Sequence, residues 1–172
     1  LPYASAGVGN TTHLSMAWFA SIARFEVNHV PYKGIAAALP DVMSRRVDAM
    51  FSAVVGVLPY IKEGRLVPLA MSGQARSRSL PEVPTFAESG YPGFEAAFYL
   101  GVVAPRGTPP AAVKRLATEI GRIVRAPDFR ERALREWGLQ TVGDSPAQFA
   151  AFLERDRAAA AERVRISGAR LD

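Results

Sequence analysis

Apolar and polar positions alternate at two different periods along the first half of the chain, and the switch between them predicts its elements. Residues 1–5, Leu1 to Ser5, read as a strand. After the turn "AGVG", Asn10 or Thr11 caps a helix running to about Phe25, with Leu14, Trp18, Ile22 and Phe25 on one face. "EVNHVPY" alternates like a strand and ends at Pro31. Gly34 opens the helix "IAAALPDVMSRR", whose stripe is Ile35, Leu39, Val42 and Met43, and Pro40 predicts a break or a late start. "VDAMFSAV" reads as a buried strand, "VLPYIKEGR" as a short helix stopped at Gly64, and "LVPLAMSG" as a further strand. Strand and helix in alternation predict an α/β layer with parallel pairing.

From Gln74 to Gly93 the pattern gives way to Pro, Ser and Gly, as expected of a crossover between structural units, with one short helix from about Thr85 to Glu88. "FEAAFYLGVVAP" is then an apolar strand, Phe94 to Ala104. Three helices follow. Thr108 and Pro109 start the first, Pro127 and Asp128 start the second with Gly138 as its stop, and "SPAQ" is a capping box at Ser145 for a last helix ending near Ile166.

Composition narrows the chemistry. Of 172 residues, 49% are hydrophobic and 22% charged, which is globular, and no apolar run is long and uncharged enough to cross a bilayer. With no cysteine, thiol catalysis, disulfides and thiolate metal sites are excluded. The net charge of +5 raises a nucleic-acid reading. However, the arginines of "RERALREWG" and "LERDRAAAAERVR" interleave with acids at helical spacings, which makes a solvated face, and no basic stripe with stacking aromatics is visible. No basic stretch followed by an apolar one opens the chain, so an export signal is expected to have been removed or to lie outside this sequence.

Neither His13 nor His29 has a partner at nucleophile or metal-ligand spacing, and Ser5 and Ser72 lack a nucleophile elbow, so no enzyme, metal site or cofactor is expected. "AGVGNTTH" lacks both the lysine of a phosphate loop and the third glycine of a dinucleotide fingerprint. A neutral nest of N–H and hydroxyl donors remains, from Ser5, Gly7, Gly9, Asn10, Thr11 and Thr12, at the positive end of a helix dipole. It suits a carboxylate, or it is a tight turn and cap without a ligand. "VPYKG" repeats the device, with Tyr32, Lys33 and Gly34 at a second strand end, and Ser52 to Val54 form a third. In a parallel sheet such ends converge on one crevice.

Together "YASAGVGNTTHL", "HVPYKG", "ALPDVMSRRVDAMF", "RSRSLPEVPTFAESGYPGFE" and "LGVVAPRGTPPAAVKRLATEI" resemble the extracytoplasmic solute-binding receptors of tripartite tricarboxylate transporters, the Bug or TctC-like family. The resemblance implies an α/β, periplasmic-binding-protein-like fold of type II, the two-lobed Venus flytrap. It implies a periplasmic, non-catalytic receptor that hands a small carboxylate to the membrane subunits of a transporter. The effector-sensing domain of a transcription regulator shares this layout and is the alternative. Residues Ser5, Ala6, Gly7, Gly9, Asn10, Thr11, Thr12 and His13 match the family's carboxylate-facing loop, and Tyr32, Lys33 and Gly34 match its "PYKG". Ser52 and Ala53 fall where an acidic or small polar residue is usual, and Phe98 near a usual tryptophan, as a cleft wall or a core ring. Family members are nearly twice as long. On this likeness residues 1–92 are the second lobe and 93–172 the end of a first lobe whose N-terminal half is missing. The apolar face then left on Val113, Leu116, Ile120, Ile123, Phe149, Phe152 and Leu153 predicts self-association, as a homo-dimer.

Overall fold

A computed structural model of the chain describes residues 1–96, 98–137 and 139–170, and only the backbone of 135–137. The elements are β1 (Pro2–Ser5), α1 (Thr11–Ala23), β2 (Asn28–Pro31), α2 (Ile35–Met43), β3 (Ala49–Met50), α3 (Val54–Lys62), α4 (Pro110–Arg125), α5 (Pro127–Trp137) and α6 (Pro146–Ser167). The chain divides into two compact units, Leu1–Phe98 with Ala160–Asp172, and Tyr99–Ala159.

The first unit is built on a three-stranded parallel sheet of order β2-β1-β3. The register pairs Tyr3 with His29 and Ser5 with Pro31 on one side, and Ala4 with Met50 on the other. Side chains alternate across a strand, so Ala4 faces the Ala38 and Val47 core, while Tyr3 and Ser5 face the opposite way. A second cluster is aromatic. Phe19 meets Phe25, Phe86, Tyr91 and Phe94 at 4.9 to 5.6 Å between ring centroids, and Phe86 lies 4.5 Å from Phe94.

The structure revises several expectations. In α1 the buried face is His13, Ser15, Met16 and Ala20, and Ile22 of the predicted face is exposed. The helix is apolar nearly all round, so periodicity does not select a side. Ser15 hides its polarity by donating to the Thr11 carbonyl at 2.7 Å. The helix ends at Arg24 in the left-handed conformation, φ 57°. Pro40 does not break α2, nor Pro59 α3. Each removes one hydrogen bond, to the carbonyls of Ala36 and Val55, and all four residues are solvent-exposed, so water can take the bond's place. The third strand shrinks to Ala49–Met50 and α3 starts three residues before the predicted Val57.

"LVPLAMSG" is not a strand: Val67 and Leu69 stand out in solvent, Pro68 offers no N–H, and only Met71 bridges to Thr85. Nor do the described residues of Phe94–Ala104 pair with another strand, because an apolar run becomes a strand only against a neighbour. Thr85 to Glu88 form a single capped turn rather than a helix. The Glu88 carboxylate accepts from Thr85 N–H at 2.7 Å and the Thr85 hydroxyl from Glu88 N–H at 3.1 Å.

The second unit comprises α4, α5 and the start of α6. The first of these begins at Pro110, one residue late. The capping box holds, with Gln148 Oε1 accepting from Ser145 N–H at 2.9 Å and Ser145 Oγ from Gln148 N–H at 3.3 Å. Phe149 and Phe152, expected on an unpartnered face, instead pack edge-on against Tyr99 at 6.1 and 4.8 Å. The predicted stop at Gly138 lies outside the described residues.

Candidate functional site

Each of the first three helices begins just past the carboxyl end of a strand, α1 after β1, α2 after β2, α3 after β3. The sheet order places the β1 loop between the other two. Tyr32 N–H donates to the Ser5 carbonyl at 3.1 Å, tying the second strand end to the first. Gly7 has φ 134° beside this bond, a backbone that side chains other than glycine rarely adopt. Both α2 and α3 start without a side-chain cap, at Gly34 and Ala53. Among the described residues, the N–H groups of Ile35, Ala36, Val54 and Val55 have no partner, so two helix dipoles present bare donors at one sheet edge.

The loop from Ser5 to His13 is more self-contained than a nest of free donors. Ala6 N–H donates to Thr12 Oγ1 at 2.9 Å, Gly7 N–H to Ser5 Oγ at 3.1 Å, and Gly9 N–H to His13 Nδ1 at 3.1 Å. Asn10 caps the helix, accepting from both the N–H and the hydroxyl of Thr12 at 3.1 Å. These bonds fix the loop's shape. The N–H groups of Val8, Thr11 and His13 remain unpartnered among the described residues.

Tyr32 is held back toward its helix, its hydroxyl donating to Asp41 Oδ2 at 2.7 Å, with Arg46 on the other carboxylate oxygen at 2.9 Å. The bond to Asp41 raises the phenol's pKa. Lys33 is exposed and has no ion pair among the described residues, which leaves its charge available at the edge. Ser52 is half-buried and donates to the Ala53 carbonyl at 3.2 Å. Phe98 stands apart: the residue is 48% exposed, and no hydrogen bond or ring contact joins it to the three loops among the described residues.

Beneath the loop lies an arrangement that the sequence reading missed. His29 and Tyr3 are register partners, and α1 lays His13 over them. The Tyr3 and His29 rings stack at 5.0 Å, and His29 and His13 at 3.8 Å with 6° between planes. Ser5 Oγ and His29 Nε2 are 2.6 Å apart. The expectation that neither histidine has a partner is therefore corrected. The signal was available in the alternation of "VNHV", which puts His29 on the face of Tyr3 and Ser5 once the strands pair in parallel. A Ser–His contact is the geometry of an activated nucleophile, yet Ser5 is 0% exposed and no substrate carbon could reach it. Burial pushes the Tyr3 hydroxyl up to about 12. Burial, with the His13 charge second, lowers His29 to about 4, and burial also lowers His13.

A cleft of about 670 Å³ opens on this ring stack between the end of α1, the following loop and the end of α6. It shares His13 with the loop but none of Tyr32, Lys33, Gly34, Ser52 or Ala53, so this cleft and the converging strand ends are different places. No grouping of His and acidic residues able to hold a metal occurs among the described residues, and none of their helices is long and apolar enough to cross a membrane.

The sequence profile of the family described as "Tripartite tricarboxylate transporter family receptor" matches residues 1–166. A protein from the tcbD-tcbE intergenic region of Pseudomonas sp. (strain P51) is 43% identical over 147 residues, 85% of this chain and 44% of that one. Among solved structures, R. palustris Rpa4515 with adipate matches with a TM-score of 0.88 at 32% identity, covering 98% of this chain and 56% of that chain. The periplasmic binding protein BugD matches with a TM-score of 0.84 at 29% identity, covering 98% and 57%. The chain thus spans about half the length of these relatives.

Proposed function

We propose, for a chain that belongs to the tripartite tricarboxylate transporter receptor family, that the carboxyl edge of its parallel sheet binds a small carboxylate. The observation that carries this reading is the pair of uncapped helix starts, α2 and α3, flanking the β1 loop, with Lys33 at the same edge. Dipole ends and bare N–H groups favour an anion without a dedicated arginine clamp, and such donors read charge and shape. The residues proposed to line the site are those of the Ser5–His13 loop, Tyr32 to Gly34, and Ser52 with Ala53. Within this set, Ser5 supports the loop from below. Adipate in a relative of matching fold supports the same class of ligand here.

The further proposals follow from the family and the relatives. The location is periplasmic, as with BugD. The partners are the membrane subunits of a transporter. Capture proceeds without turnover, since the family is one of receptors and the one Ser–His contact is sealed from solvent. The lobes divide near residue 92, the second lobe carrying the site. No observation favours the transcription-regulator alternative. Leu116 and Ile123 of α4 remain exposed and support association into a dimer, which light scattering at micromolar concentration tests; a clean monomer removes that part.

Thermal unfolding with a panel of mono-, di- and tricarboxylates tests the binding itself. A ligand at about a hundred times its Kd stabilises the fold by roughly 2.7 kcal/mol. A rise in Tm with one chemical subset is the expected result. If no member of the panel shifts the transition, binding by this chain is refuted.

A further inference from the structure

We infer that the stacked imidazoles of His13 and His29 form a positioning clamp for the Ser5–His13 loop, closed when both rings are neutral and released by a proton on His13. Each ring holds one end of the loop. His29 Nε2 pairs with Ser5 Oγ at 2.6 Å, and Ser5 Oγ in turn accepts from Gly7 N–H at 3.1 Å. His13 Nδ1 accepts from Gly9 N–H at 3.1 Å. An imidazole that accepts at Nδ1 carries its proton on Nε2, so His13 in this arrangement is neutral.

The two contacts respond differently to acid. A protonated His29 still donates to the Ser5 hydroxyl, which has lone pairs to accept it. A protonated His13 presents a second N–H to the N–H of Gly9, and the bond is lost. Two stacked rings 3.8 Å apart and nearly parallel cannot both carry charge without strong repulsion, so the first proton disfavours the second. Of the two rings, His13 is the one whose protonation breaks a bond to the loop, since it alone accepts from a backbone N–H.

The surroundings do not relieve that charge. Tyr3 of β1 stacks on His29 with its hydroxyl protonated at every physiological pH. On the cleft side the charged residues are Arg24 at the end of α1, Glu26 in the following loop and Arg165 of α6. Arg165 is itself paired with Glu162 at 2.6 Å, so the charges around the cleft sum to zero and none is left over to offset an imidazolium. Gly7 and Gly9, at φ 134° and 72°, give the loop a backbone that moves easily once the Gly9 bond goes.

The clamp is a property of the loop and is read on the ligand-free chain, so its failure and the failure of the carboxylate reading are separate outcomes. The experiment is an NMR titration of isotope-labelled protein from pH 8 to 4.5. It follows the imidazole nitrogens of both histidines together with the amides of Ala6, Gly7, Gly9 and Thr12. At pH 7.5 the expected state of His13 is unprotonated Nδ1. On acidification the four loop amides shift with the midpoint of His13, and Gly9 amide exchange, corrected for its intrinsic pH dependence, accelerates at least about tenfold. In His13→Asn, whose Oδ1 can accept from Gly9 without titrating, the loop amides hold still over the same range. A His13 that carries its proton on Nδ1 at pH 7.5, or loop amides that ignore its titration, overturns the clamp. The wild-type titration decides even if the variant does not fold.

Discussion

The two units bury their apolar residues very differently. Among the described residues, all the buried apolar side chains except Ala133 belong to the first unit, from Tyr3 and Ala4 in the sheet to Leu80, Val83, Phe86 and Phe94 beyond it. The second unit, Tyr99–Ala159, has the strongly amphipathic α4 and the capped start of α6, yet Leu100, Val102, Val103, Leu116, Ile123 and Val142 all remain exposed. Amphipathic patterning records which surface a helix is built to cover, and a core exists only where that covering is present. In the first unit most of the pattern finds packing, with Ile22, Val67 and Leu69 as exceptions. In the second the pattern outruns the packing.

Phe86→Ala strikes the first unit hardest. The ring touches Phe19, Phe51, Tyr91 and Phe94, and its loss is expected to cost about 3–5 kcal/mol. Urea unfolding measures this, and a loss under about 1 kcal/mol would mean that the aromatic cluster is not that unit's core. Next comes pH. Both histidines have lowered pKa values in the fold, so the unfolded chain takes up protons first. Their contribution is complete above pH 6.5 and is lost as pH falls toward about 4, the value for His29. Hydrogen exchange should show that loss in the first unit; an equal loss in α4 and α5 would erase the distinction.

The second unit has one tight place. A Cβ on Gly101 would collide with the Phe149 ring, so Gly101→Ala should destabilise that unit by roughly 1–3 kcal/mol. Protection in α6 near Phe149 reports it, and an unchanged protection pattern would show that the ring moves aside freely. Asn10→Ala removes the cap of α1 and should cost about 1 kcal/mol by urea unfolding. The smallest change is Leu116→Ser, at half-exposed α4, expected within about 0.5 kcal/mol in the monomer. A larger effect that grows with protein concentration would show that the face is covered by another copy.

Much of this was legible in the residues. Whereas α3 begins three residues before the expected Val57, the starts of α1 and α2 could be placed because Asn10 and Gly34 are backbone signals that act locally. The capping box at Ser145 is of the same kind. What escaped depends on pairing. The face of α1 could not be chosen while Leu14, Met16, Trp18, Phe19 and Ile22 offered apolar choices all round. The strands expected at "LVPLAMSG" and "FEAAFYLGVVAP" depend on a neighbour that no local pattern supplies. The role of His29 emerges only once β1 and β2 are set in parallel register. The candidate site was legible as three converging strand ends, whereas the bonds that occupy most of the β1 loop's own donors were not.

The order of the sheet also bears on how the chain is made. β1 is central in space but first in sequence, and its partners lie roughly 25 and 45 residues later, Asn28 opposite Pro2 and Ala49 opposite Tyr3. During synthesis the middle strand therefore leaves the ribosome with both edges unpaired, and the sheet closes outward from a strand that has waited for each flank. Pauses placed before β3 has emerged would lengthen the exposure of the very strand that carries Tyr3 and Ser5, so slowing translation across residues 6–50 is expected to lower the yield of folded protein.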